Sequence, residues 1–307
     1  MRRLIQHHRD DHGVGTIFVV LAMLAVLVGV AFATDVGRYV AEARSAQNSA
    51  DATVLAVATD CARTGSPIAD YSPYFKDDHS ITTPACGSGE ATITVTTPIT
   101  DGILLKQSVG EVDRSATAKW GTLGTANTLP ITISDCEFEQ AVPPETAETV
   151  TDIILFLDDP KPQSGCSSLP GGFSQLDDND CVVTVSAAGT APGKPGDDLQ
   201  KLVPCITNPT APALPHDVLI PIYDAAACQA AGCKGHGPYP ILGFAMFRVT
   251  GYSFNGNNYD GTLGKKCPDE KDRGKNCIRG DFIRFTTSQG TPGPSTDFGT
   301  YNVYLSA

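Results

Sequence analysis

An uncharged run of 22 residues lies close to the start of the chain, at positions 13–34, and reads GVGTIFVVLAMLAVLVGVAFAT. As a helix with a rise of about 1.5 Å per residue it would span roughly 33 Å, which matches the hydrocarbon core of a bilayer. A secretory signal has a shorter apolar core of about 7 to 15 residues. The run therefore predicts a retained transmembrane helix, preceded by a leader at residues 1–12.

The helical pattern continues beyond the apolar run. Residues 35–57 contain no proline and a single glycine, Gly37, while Gly65, Ser66 and Pro67 follow as stop signals. Larger apolar residues and alanines recur at helical spacing, at Val36, Tyr39, Val40, Ala43, Ala46, Ala50, Val54, Val57 and Cys61. We expect a single rod made of the span and of a helical extension at residues 35–60.

The cysteines indicate which side of the membrane carries the bulk of the chain. All ten lie after the apolar run, and an even set on one side is typical of disulfides formed in an oxidising compartment. The arginines flanking the run give only a small charge asymmetry. The sequence therefore predicts a cytoplasmic N-terminus and an extracytoplasmic region at residues 61–307 in the cell envelope.

The extracytoplasmic region has the pattern of a β-rich domain. Short segments rich in Thr, Val, Ile and Phe alternate with turns formed from the 30 glycines and 22 prolines. We expect strands at 91–97, 115–120, 129–134, 152–157, 181–186, 217–223, 241–254, 281–287 and 300–305, and short helical turns at 136–141 and 197–203. The predicted fold class is α+β, with a long N-terminal transmembrane helix followed by a mainly β, disulfide-stapled domain. A sub-boundary is expected near residues 121–128.

Disulfide partners cannot be deduced uniquely, since ten cysteines allow on the order of 900 complete pairings. Pairs that close short loops are the simplest expectation: Cys61 with Cys86, Cys166 with Cys181, Cys228 with Cys233, and Cys267 with Cys277. Cys228, Cys233 and His236 also have the residue types of a zinc site. We favour a disulfide there, because thiols outside the cytosol are usually oxidised.

The most metal-like stretch is acidic and contains Asp177, Asp178 and Asp180. Hard oxygen ligands grouped in a turn suit Ca²⁺, and these three aspartates are the calcium candidates. The stretch lacks the glycine and the distal glutamate of an EF-hand, so we favour a solvated acidic turn.

Other chemistry is not indicated by the sequence. It contains no P-loop, no G-x-S-x-G and no H-E-x-x-H, so we expect no catalytic residue, no cofactor and no enzymatic activity. A net charge of −12 without a basic cluster argues against nucleic acid as a partner.

Two motifs in the helical region carry a family resemblance. DVGR at residues 35–38 and QNSADA at residues 47–52, together with the charged leader and the apolar run, resemble the TadE/TadG-like proteins of Flp pilus assembly. Four later segments resemble actinobacterial TadG-like members: LPITISDCEF at 129–138, LPGGFSQLDDNDC at 169–181, ILGFAMFRVTGYSF at 241–254 and CIRGDFIRF at 277–285. The resemblance implies a single-pass, non-catalytic scaffolding protein of the envelope. Its partners would be the membrane and other pilus-assembly or pilin-like proteins, contacted through the N-terminal helix.

The sequence departs from the family pattern at two points. Type IV-like pilins carry glutamate five residues after the processed glycine, whereas Phe18 stands five residues after Gly13, so we expect an uncleaved anchor. The nearest match to the D-x-S-x-S metal site of longer TadG proteins is Asp113, Ser115 and Thr117. The alternative function is a membrane-anchored extracellular ligand-binding domain or hydrolase with an unrecognised site.

Overall fold

The structure is a computed structural model that describes residues 12–67, 69–76, 78–99, 111–142, 149–157, 175–176, 181–194, 202–207, 216–233, 237–254, 257–260, 276–287 and 290–306. The helices are α1 His12–Thr64, α2 Asp135–Ala141, α3 Val203–Thr207 and α4 Ala225–Ala231. The strands are β1 Ser80–Ile81, β2 Glu90–Pro98, β3 Glu111–Thr128, β4 Ile133–Ser134, β5 Thr149–Phe156, β6 Val183–Ser186, β7 Thr190–Ala191, β8 His216–Tyr223, β9 Tyr239–Phe254, β10 Asn257–Asp260, β11 Cys277–Ile283, β12 Phe285–Thr287, β13 Thr291–Pro292 and β14 Thr300–Ser306. This combination of a long apolar helix and a mainly β region confirms the predicted fold class.

Helix α1 is the continuous rod expected from the sequence. It ends at Gly65, whose φ of +73° places it in the left-handed region that glycine adopts without steric cost. The Gly65 N–H donates to the Cys61 carbonyl at 3.0 Å, and Nη1 of Arg284 donates to the Arg63 carbonyl at 3.1 Å. Both bonds satisfy carbonyl groups that the last turn of a helix leaves unpaired.

The chain forms two compact units, and the first comprises residues 1–56, 69–84 and 92–117. In this unit β1 pairs antiparallel with β2, with Ser80 opposite Thr96. Alternate residues of β2 are buried, as Ile93 and Val95 are, while the threonines between them face outward. The α1 residue Ala43 packs with Ile99, which directly follows β2, and with Val112 of β3, so the helix contacts the strands of this unit near their ends.

The second unit comprises residues 57–68, 85–91 and 118–307, and its strands belong to two sheets. In one sheet β14 lies between β3 and β12, and β6 and β13 also pair with β3. In the other the order is β4-β8-β9-β11-β5, with β7 and β10 pairing with β9 as well. Strand β12 is parallel to β14, whereas β8 and β11 are both antiparallel to β9.

The core of the second unit is built around Phe138 of α2. Its ring meets Phe282 and Phe298 edge to face, at centroid distances of 5.4 and 5.3 Å. Aromatic pairs in this geometry are favoured beyond the area that they bury. Ser134 caps α2, because its side chain accepts the Glu137 N–H at 3.1 Å, and this cap fixes the direction from which Phe138 enters the core.

Several predicted elements differ from the structure. The expected strand at 281–287 is two strands that separate at Arg284, with β11 and β12 in different sheets. The expected strand at 129–134 is reduced to β4, and residues 121–128, near which a sub-boundary is expected, lie within β3. The helical turn expected at 197–203 falls partly outside the described residues, and α3 begins at Val203. Helix α4 was missed because AAACQAA carries no apolar periodicity.

The disulfides follow two of the four predicted pairs. Cys61 is bonded to Cys86 and Cys228 to Cys233. The predicted pair Cys166–Cys181 is wrong, because Cys181 is bonded to Cys205 across a sequence separation of 24. Loop length is a weak guide to pairing, because each doubling of a loop costs only about 0.6 kcal/mol. Cys136 and Cys277 are also disulfide-bonded, while Cys166 and Cys267 lie outside the described residues, so Cys267–Cys277 stays a prediction.

The two disulfides that were predicted and are present in the structure allow a matched test of how much each cross-link contributes to stability. Replacing Cys61 and Cys86 by serine opens a loop of sequence separation 25, which corresponds to a loss of about 3.5 kcal/mol from the free energy of unfolding. The same change at Cys228 and Cys233 opens a loop of separation 5 and should cost about 2 kcal/mol. Urea unfolding of the full-length protein in detergent micelles measures both losses. Equal losses would contradict the loop-length explanation.

Candidate functional site

The outer surface of α1 between residues 15 and 34 is the largest apolar surface of the described chain. Nearly all of its side chains are exposed, with Phe18 at 68% and Leu27 at 66%. Among the described residues, α1 is the one helix that is long and apolar enough to cross a membrane. Removing these large side chains from water is worth on the order of 20 kcal/mol, so a bilayer is the environment that the segment requires.

Charged residues follow this apolar segment, and from there the exposure of the α1 side chains changes along the helix. Val36, Tyr39 and Val40 are still 40% to 44% exposed, whereas Ala46 and Ala50 are fully buried. These residues share one helical stripe, since they recur every three or four positions. The stripe is thus partly exposed in the first two turns and buried in the turns that follow, where Ala43 packs with Ile99 and Val112.

The QNSADA motif occupies the covered turns. Ser49 and Ala50 are buried, and small side chains at these positions let the helix approach the strands closely. On the outer side of the helix, Nε2 of Gln47 donates to Oδ1 of Asp51 at 2.9 Å, one turn further on. One ion pair lies at the start of the docked part, where Nζ of Lys76 is 3.8 Å from Oε2 of Glu42. The motif therefore gives α1 a packing face of small side chains and an outer face of polar side chains.

The comparison with protein families concerns this helix. Residues 13–60 match the family model described as "Putative Flp pilus-assembly TadE/G-like". Residues 13–60 are thus similar to the TadE/TadG-like family. The match covers the apolar segment and the docked turns of α1 and ends before Cys61, so the actinobacterial TadG-like subtype stays a prediction. No curated protein and no solved structure matches the chain.

The D-x-S-x-S candidate does not have the geometry of a metal site. Asp113, Ser115 and Thr117 lie on the outer face of β3, and each is hydrogen-bonded across the sheet to a threonine of β2. The three bonds, of 2.7 to 2.8 Å, form a ladder along the strands in which the oxygens do not converge. Within the described ranges, no group of three His, Cys, Asp or Glu side chains is arranged to hold a metal ion.

Only some of the other candidate metal ligands lie within the described residues. Cys228 and Cys233 are joined in a disulfide, so the zinc alternative is wrong for this pair, and His236 lies outside the described residues. Asp177, Asp178 and Asp180 also lie outside the described residues, and the calcium hypothesis stays a prediction.

A groove in the second unit was not found by sequence reasoning. It has a volume of about 410 Å³ and is lined by three strands of the first sheet and two of the second. Its lining residues are Thr125, Ala126, Asn127, Thr184, Asp217, Leu219, Met246, Phe285, Thr287 and Gly290. They come from segments that are far apart in sequence, and only Met246 and Phe285 lie in segments that resemble TadG-like members, at 241–254 and 277–285.

The docked face of α1 can be tested with a matched pair of substitutions. Ala50→Leu adds three carbon atoms at a fully buried position and should lower the free energy of unfolding by about 1 to 3 kcal/mol. Ala41→Leu makes the same change at an exposed position of the same helix and should alter stability by less than about 0.5 kcal/mol. Chemical denaturation of both full-length variants in micelles gives the two values. Tolerance of leucine at position 50 would contradict the close packing described here.

Proposed function

We propose that this TadE/TadG-like chain is a single-pass, non-catalytic scaffolding protein of Flp pilus assembly, with its β-rich region outside the cytoplasmic membrane. The observation that carries the proposal is the continuity of α1. One helix matches the TadE/G-like family, exposes a bilayer-length apolar segment and then packs against strands. Because this helix is continuous, a movement of its membrane segment is transmitted to the first unit of the extracytoplasmic region.

The orientation of the chain is supported by its cysteines. The described disulfides all lie after the apolar segment, where Cys61, Cys86, Cys181, Cys205, Cys228 and Cys233 are paired. Disulfides persist in oxidising compartments and are rare in the cytosol. The region after Arg44 is therefore extracytoplasmic in this proposal, and the short leader at residues 1–12 is cytoplasmic.

A structural rather than catalytic role is supported by the position of the perturbed groups. Burial in the core raises the pKa of Tyr223 and of Tyr239, whose rings pack together with centroids 5.0 Å apart. Burial is also the largest cause that raises the pKa of Tyr301, followed by its hydrogen bond to Asp297. Core packing accounts for these shifts without a reacting ligand.

The proposed partner surface is the part of α1 that no described residue covers. It comprises the apolar segment and the exposed stripe of Val36, Tyr39 and Val40. Small residues such as Gly29 and Ala22 let a second transmembrane helix approach closely. Photo-crosslinkers placed singly at exposed positions of α1 in the native membrane would identify the helices that this surface contacts.

The topology is tested by protease treatment of intact cells that carry one tag before Met1 and another after Ala307. The C-terminal tag should be removed and the N-terminal tag should be retained, because only the first residues lie inside. Permeabilised cells are the control and should lose both tags. A C-terminal tag that survives in intact cells and disappears after permeabilisation would refute the proposed orientation.

The processing of the chain gives an independent test. Because Phe18 occupies the position at which pilins use glutamate, the mature protein should keep residues 1–34 and remain with membranes after alkaline extraction. Intact-mass analysis of the purified protein measures this directly. An N-terminus at Val14 would show that cleavage after Gly13 occurs, and would assign the chain to the processed, pilin-like class instead.

A further inference from the structure

The groove of the second unit presents hydrogen-bonding groups that carry no net charge. Oγ1 of Thr184 donates to Oδ1 of Asn127 at 2.8 Å, and this leaves the amide N–H groups of Asn127 without a partner in the described part of the chain. Asn127 and Thr184 are exposed, and they face each other across the β3 and β6 ladder. Thr125 adds one more hydroxyl group to the lining, and this group shares a hydrogen bond of 3.2 Å with the hydroxyl of Ser186.

The carboxylate of Asp217 in the groove is already neutralised. Arg248, its neighbour on β9, donates from Nε to Oδ1 at 2.7 Å and from Nη2 to Oδ2 at 3.0 Å. An anionic ligand would meet the Asp217 carboxylate, and a cationic ligand would compete with a bidentate guanidinium. The charge pattern therefore favours a neutral ligand.

The groove also has an apolar part, formed by Leu219, Met246 and Phe285. A purely apolar ligand would cover these side chains but would also desolvate the amide and hydroxyl groups beside them, at a cost of about 1 to 3 kcal/mol for each group left unpaired. A ligand with one face of C–H groups and an edge of hydroxyl groups satisfies both parts. Saccharides have this combination of surfaces.

An extended peptide fits the groove less well. Peptides that add to a sheet use the free backbone groups of an edge strand. Here the backbone of β3 is paired with β6 at Thr125 and at Asn127, and the Leu219 carbonyl accepts the Leu129 N–H at 3.0 Å. On the sides formed by β3 and β8 the groove thus offers side chains rather than open backbone groups, whereas β12 is the end strand of its sheet.

We infer that this groove is a binding site for a neutral saccharide. Its volume of about 410 Å³ lies within the range of 300 to 1,000 Å³ that is typical of small-molecule sites. The site binds the sugar without cleaving it, because glycoside hydrolysis uses a pair of carboxyl groups. Among the described lining residues, Asp217 is the one carboxylate, and Arg248 holds it as an ion pair.

The test uses the full-length protein on an array of neutral, anionic and cationic oligosaccharides, followed by calorimetric titration of the strongest binder. The detergent must carry no sugar, because a maltoside head group would occupy the proposed site. We expect a neutral oligosaccharide to bind with a Kd of roughly 1 mM or tighter. Asn127→Ala and Thr184→Val, both at exposed positions, should each weaken binding about tenfold through the loss of hydrogen bonds.

Two matched variants control for general effects on the fold. Thr286→Val makes the same change as Thr184→Val at a position of β12 that alternates away from Phe285 and Thr287, and it should leave binding unchanged. Glu139→Gln removes an exposed carboxylate of α2 outside the groove and should also have no effect. The inference is overturned if no neutral oligosaccharide binds, if charged sugars or peptides bind instead, or if Asn127→Ala leaves the affinity intact.

Discussion

The cost of hydrating residues 15–34 is the constraint on which the rest of the structure depends. A segment with this many exposed apolar side chains is stable only in lipid, and there its backbone must be helical because no water is present to pair with it. The helix continues beyond this segment, where Ala43, Ala46 and Ala50 are buried and Ala43 packs with Val112 of β3. The membrane requirement thus creates the surface on which the first unit folds.

The elements that the sequence predicted well are those whose signal is local. Helix α1 was predicted because its spacing continues unbroken to Gly65, and β2 and β9 because their apolar residues are bounded by clear turn formers. The break between β11 and β12 was missed because Phe282 and Phe285 look alike in sequence. The first packs in the core with Phe138, whereas the second lines a groove, and only long-range contacts distinguish them.

The candidate functional surfaces also differ in this respect: one has a local sequence signal, and the other depends on long-range contacts. The membrane-facing part of α1 is continuous in sequence, so composition and length were sufficient to find it. The groove brings Asn127, Asp217 and Phe285 together from three distant strands, and its character depends on an ion pair between Asp217 and Arg248 that sequence spacing does not reveal. The Cys181–Cys205 bond was missed for a similar reason, because tertiary contacts outweigh the small entropic preference for shorter loops.

The position of the last strand has a consequence for how the protein is made. Strand β14, at Thr300–Ser306, lies between β3 and β12 rather than at the margin of its sheet. The connection of β3 to β12 through β14 therefore cannot form until β14 has been synthesised. Until then β3 and β12 present unpaired hydrogen-bonding edges, which promote aggregation. Completion of this sheet is thus a late step of folding, because β14 joins strands that are far apart in the sequence.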